Sequence, residues 1–184
     1  MRVLGLALLL WVLPATPQAR LLVTREQGLA RVYGDSARVE TRTIYLRQDA
    51  LDSLAAHARA PMDQARITYY EVHNGETLAG LAFVDKHVVR TATESVLICL
   101  QPDGSVRAVE ILAWNEPEDY LPSRRWLETA SGAQDPKTIR PGHDVPRIAG
   151  ATLSAQAITA AIRRALVLGK MILGERARSA AAGP

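Results

Sequence analysis

The residues whose types and spacing best suggest chemistry are Gly150, Ala151, Thr152 and Ser154, in the segment Ala149-Gly150-Ala151-Thr152-Leu153-Ser154. An amphipathic run, Ala155 to Leu173, follows at once. A threonine hydroxyl reached through small side chains at a helix mouth has two uses. It can cap the helix by accepting a hydrogen bond from a first-turn N–H, or it can be the attachment point for something larger. Other chemistries find little footing. The four histidines, at 57, 73, 87 and 143, lack zinc-ligand spacing and have no cysteine partners, so no metal site is expected. There is no Gly-x-Ser-x-Gly elbow and no phosphate-cradling glycine loop. No residue set supports a catalytic assignment. Cys99 is the one cysteine, which excludes an intramolecular disulfide; its place in the apolar run Ser95 to Leu100 predicts a buried, inert thiol.

A second cluster of polar and aromatic residues lies where strands should end. It comprises His87-Val88-Val89-Arg90-Thr91 and the segment Trp114-Asn115-Glu116-Pro117-Glu118-Asp119-Tyr120-Leu121-Pro122. Such clusters can form a ligand mouth. The plainer alternative has Trp114, Tyr120 and Trp126 capping the core and the acids solvated.

The elements that would position these residues follow from periodicity. Thr24 to Tyr33 reads as a helix stopped by Gly34-Asp35, and Arg38 to Leu46 as a strand. Asp49 to Ala58 reads as a second helix, with Asp49 as its cap, Pro61 closing it and His57 packed beside its apolar side. Ile67 to Val72 and Leu78 to Val84 read as a hairpin about Asn74-Gly75. Val96 to Leu100 and Val106 to Ala113 form another, about Pro102 to Ser105. A short helix runs through Arg124 to Leu127 and a polar connection from Ser131 to Pro146. The last helix carries Ile158, Ile162, Leu166 and Ile172 on one face and should fray after Gly174. The expected fold is α+β: an antiparallel sheet of about four or more strands, with N-terminal helices and a long C-terminal helix.

At 184 residues the chain suits one domain. With 48% hydrophobic and 22% charged residues it has an ordinary globular composition. A net charge of +3, scattered along the chain, gives no sign of a nucleic-acid partner. Arg2, the apolar stretch Val3 to Leu13 and the small residue Ala19 read as a secretory leader, well short of a bilayer span. The alternative is an uncleaved anchor that keeps the protein at the membrane; the expected setting is periplasmic or membrane-associated. The expected organisation is a signal peptide over 1–19, a domain over 20–174 and a flexible tail over 175–184. No cysteine follows the apolar stretch, so a lipoprotein is not expected.

From about Tyr69 to Leu173, through the hairpin Val96 to Ala113, the Glu116-Pro117 segment and the Gly150-Ala151-Thr152 motif, the chain resembles the FMN-binding domain family. That family includes the flavin subunits of the Rnf and Na+-translocating NADH:quinone oxidoreductase complexes and many small exported flavoproteins. The resemblance implies FMN joined through its phosphate to the Thr152 hydroxyl by a dedicated flavin transferase that draws on FAD. Gly150, Ala151 and Ser154 would be its motif neighbours. A phosphodiester at a helix N-terminus would meet free N–H groups and the positive end of the dipole. The family's Glu-Thr-Pro-Gly loop, which touches the flavin ring, would correspond to Glu116, Pro117 and the residues up to Leu121, with Arg124 or Arg125 offsetting phosphate charge. The chain departs from the family pattern at Ala149, where Ser or Thr is usual, and at Pro146, where Asp is usual; both positions bear on transferase recognition. The implied role is an electron carrier outside the cytoplasmic membrane, exchanging electrons with a membrane redox complex or cytochromes. The alternative is the same fold acting as a non-flavinylated or noncovalent binding or assembly module.

Overall fold

The computed structural model describes residues 20–140 and 152–183; the expected leader and the segment from Pro141 to Ala151 lie outside these residues. Strand formation follows the β-branched and aromatic runs; from β2 to β6 each strand returns beside the last, and β1 joins the edge beside β6. The elements are β1 (Arg20–Leu21), α1 (Arg25–Tyr33), β2 (Arg38–Tyr45), α2 (Gln48–Ala58), β3 (Arg66–Asn74), β4 (Thr77–Val89), β5 (Ala92–Leu100), β6 (Val106–Trp114), α3 (Arg124–Glu128) and α4 (Thr152–Ala181). The strands form one antiparallel sheet in the order β1-β6-β5-β4-β3-β2. The α+β class and the long C-terminal helix expected from the sequence are both present.

The period-two alternation of β5 divides the core. Val96, Ile98 and Leu100 face α4, where they meet Ile158, Ile162, Leu166 and Ile172. Leu97 and Cys99 face α1, where Leu29 and Tyr33 cover them. Each such fully buried aliphatic side chain contributes about 1.5–3 kcal/mol, so these two layers carry the fold. At Gly169 of α4, an added Cβ would stand 2.3 Å from Leu100 Cδ1, so the bare backbone is what lets the helix approach β5. α2 packs on the outer side of α4, with Ala58 against Val167.

Local signals explain the element ends, and in several places they correct the expectations above. Thr24 caps α1 through a capping box with Gln27. Asp49 is not the cap of α2; Arg47 holds that position without a side-chain hydrogen bond, and Asp49 sits in the first turn paired with Arg47 at 3.1 Å. The helix closes on Arg59 in the left-handed region, ahead of Pro61. His57 is exposed rather than packed, with its Nδ1 donating to the Ser53 carbonyl. The β3–β4 turn is displaced by one residue: Asn74 pairs with Thr77, leaving Gly75-Glu76 as the loop, with φ +59 at Gly75. Only the first loop position needs positive φ, the type II′ requirement. β4 continues through His87 to Val89, so His87 is a strand residue and not part of a connection. The helix expected to fray after Gly174 runs on to Ala181, with Arg176 paired to Glu71 at 2.8 Å.

Candidate functional site

The end of β6, the β4–β5 turn and the start of α4 converge on Glu116. Its position follows from the strand that precedes it. Trp114 ends β6 with its indole buried and its Nε1 donating to the Pro117 carbonyl at 3.3 Å, which folds the chain back on itself. Asn115 ties this corner to its neighbours, donating to the Thr93 carbonyl at 2.6 Å and accepting from the Arg20 N–H at 2.9 Å. Glu116 is thereby turned inward, with its side chain 5% exposed. Its Oε2 accepts the Ser154 hydroxyl at 2.9 Å, and its Oε1 lies 3.5 Å from Arg90 Nη1. The Arg90 guanidinium also stands over the Tyr120 ring, with Cζ 5.9 Å from its centroid.

The structure therefore brings together two segments that lie 38 residues apart in sequence. Thr152 is the first residue of α4 and is exposed, whereas Ser154, two residues on, is fully buried. Beside Glu116 is a cavity of about 240 Å³ lined by Arg20, Leu22, Trp114, Asn115, Glu118 and Leu121. Of the sequence-derived site residues, Thr152, Ser154, Glu116 and Pro117 are placed in this corner, while Gly150 and Ala151 lie outside the described residues. Trp114 and Trp126 do cap the core and Glu118 and Asp119 are solvated, as the plainer reading had it, yet the Glu116 side chain is not. Arg124 pairs with Glu128 one turn along α3. Among the described residues the cation paired with Glu116 is Arg90, a member of the polar cluster at the strand ends that nothing in its local sequence sets apart from its neighbours.

A second group of charges lies under α4. His87 of β4 and Glu94 of β5 face each other across the ladder, with His87 Nε2 donating to Glu94 Oε2 at 3.1 Å. His87 Nδ1 donates to Asp85 Oδ1 at 3.0 Å, and Asp85 is gripped by Arg164 of α4 through two bonds of 2.8 and 3.0 Å. Burial alone would lower the His87 pKa, but the hydrogen bonds to Asp85 and Glu94 reverse this and lift it to about 9. The ring is thus an imidazolium at neutral pH. Burial would likewise raise the Asp85 pKa, yet His87 and Arg164 hold it below the usual carboxylate range. Glu94 is fully buried, and its Oε1 has no hydrogen-bond partner among the described residues. Asp85, His87 and Arg164 also line a cavity of about 490 Å³ between β4, α4 and the loop after α2.

Glu40, Glu71 and His73 place three potential ligand atoms within 4.8 Å of one another. Their surroundings argue against a cation there. Glu71 is paired with Arg42 and Arg176, and Glu40 with Arg38 and Arg42. Three guanidiniums against two carboxylates leave the cluster positive before any ion enters.

The family model described as the FMN-binding domain matches residues 62–167, more than half of the chain. The match runs from the loop after α2 through β3 to β6 and into α4, and it includes every residue named at the Glu116 corner apart from Arg20 and Leu22. Comparisons with curated proteins and with solved structures return no match.

Proposed function

The chain belongs to the FMN-binding domain family, and from that premise we propose that it carries FMN covalently on Thr152 and relays electrons outside the cytoplasmic membrane. The observation that carries this reading is the hydrogen bond from Ser154 to Glu116, which unites the attachment motif with the segment corresponding to the family's flavin loop. The residues present suit the group. Thr152 is exposed, so its hydroxyl can be esterified without disturbing the core. A phosphodiester there meets the first-turn N–H groups and the positive end of a 30-residue helix. In the transfer, Thr152 Oγ would form the new P–O bond to the FMN half of FAD, and AMP would leave. Bound FMN supplies the redox chemistry; the chain supplies position, solvent access and counter-charge.

The leader-like sequence over 1–19 supports an extracytoplasmic setting, where a flavin transferase would act on the chain and a membrane redox complex or cytochromes would exchange electrons with it. The test is to co-express the chain with a flavin transferase, denature it, and record in-gel flavin fluorescence and mass. The expected result is a fluorescent band of increased mass that is lost in Thr152→Ala. A colourless protein beside an active transferase would refute covalent attachment, and flavin that washes off on denaturation would favour the noncovalent module.

A further inference from the structure

Two hairpins of the sheet place positive φ at the first of their two loop residues. In the β3–β4 turn that residue is Gly75, at φ +59; in the β4–β5 turn it is Arg90, at φ +53. Left-handed backbone crowds any Cβ, so glycine is the residue such a turn normally takes. An arginine retained there points to a use for its side chain. That side chain is half exposed, reaches Glu116 and lies over Tyr120. Among the described residues, Arg90 is the one cation paired with Glu116. The pairing is long and one-pronged at 3.5 Å, whereas a guanidinium can offer five N–H donors in a planar fork suited to phosphate.

The charge balance of the corner adds to this. The Glu116 carboxylate, little exposed, accepts the hydroxyl of Ser154, two residues from Thr152. A phosphodiester on Thr152 would therefore sit near a fixed negative charge that repels it. The helix dipole opposes that repulsion at Thr152, but with only about half an elementary charge against the full charge of the carboxylate. We propose that Arg90 is the counter-charge that holds the FMN phosphodiester, bridging it to Glu116; this rests on the attachment to Thr152 proposed above. The β4–β5 turn fixes the guanidinium, Tyr120 supports it from one side, and Glu116 links it to the helix that bears the cofactor. Its spare N–H groups take the phosphate oxygens. The strained turn is kept because a glycine in its place would leave the phosphate facing a bare carboxylate.

The test uses the full chain co-expressed with a flavin transferase, as wild type, Arg90→Gly, Arg90→Lys and Thr152→Ala. Arg90→Gly removes the charge while suiting the turn, so the unloaded variant should still fold, with a thermal midpoint close to that of the unloaded wild type. In the loaded protein, the 31P resonance of the phosphodiester should shift and narrow in Arg90→Gly, and flavin fluorescence anisotropy should fall, with both partly restored in Arg90→Lys. A loaded Arg90→Gly protein with an unchanged 31P resonance and anisotropy overturns the proposal and leaves attachment at Thr152 standing. Loss of loading in Arg90→Gly that Arg90→Lys restores supports a charge role at the phosphate. Loss in both variants means that the transferase reads the turn, and overturns it. A wild type that never takes up covalent flavin removes the attachment itself, and this proposal with it.

Discussion

The buried imidazolium of His87 should make folding stability depend on alkaline pH. In the unfolded chain a histidine titrates near 6.5; in the fold, Asp85 and Glu94 raise His87 to about 9. A group whose folded pKa is raised binds its proton more tightly in the native state. Its stabilisation is therefore fully present below about pH 6.5 and is lost as pH rises through about 9. At about 1.4 kcal/mol per unit, the shift is worth roughly 3 kcal/mol, a large share of the ~5–15 kcal/mol that holds a domain together. The side chain is only 11% exposed, so solvent screening does not remove this contribution. Urea unfolding at intervals from pH 6 to pH 10 should show the midpoint falling between about pH 6.5 and about pH 9 and levelling off above. His87→Gln should be less stable at pH 6.5 and lack that fall, which separates His87 from lysines and tyrosines titrating nearby. An NMR titration gives the direct check. A His87 ring that loses its proton near pH 6.5, or a wild-type stability flat from pH 6.5 to 10, would refute the reasoning.

Further outcomes follow from the packing and from the site. Ser154→Ala removes the hydroxyl that satisfies Glu116 and should cost about 1–3 kcal/mol, read as a lower urea midpoint with an unchanged slope. Gly169→Ala drives a Cβ toward Leu100, which has no exposed surface to retreat into, and should cost about 1–3 kcal/mol in the same assay. Cys99 has its thiol pKa pushed up to about 12 by burial, so a thiol reagent should leave the native protein untouched at pH 8 and label it fully in denaturant. Restoring the family pattern with Ala149→Ser and Pro146→Asp should increase the fraction of chain that a flavin transferase loads, measured by intact mass.

The parts of this fold that were legible in the sequence are those set by local periodicity. The stop of α1 at Gly34, the apolar run of Val96 to Leu100 and the apolar stripe from Ile158 to Ile172 each announce their element without reference to the rest of the chain. The missed features depend on partners distant in sequence. β4 runs to Val89 because Asp85 and His87, polar residues that look like a strand end, are neutralised by Arg164 and Glu94. α4 continues past Gly174 because Arg176 finds Glu71, 105 residues earlier. At the site, Thr152 and Glu116 could be named from the family pattern. Arg90 could not, because its distinguishing mark is a backbone angle that no composition reveals.

The close seating of α4 on Leu100 also bears on how a cargo at Thr152 would move. Thirty residues at 1.5 Å each make a rod of about 45 Å. It is fixed at mid-length by Gly169, pinned near one end by Ser154 and near the other by Arg176. A cofactor attached at Thr152 would ride on a rigid mast rather than a flexible tether, so its reach toward an electron partner would be set by how the two proteins dock. Exchange should then be fast only for partners whose surfaces fit that end of the molecule.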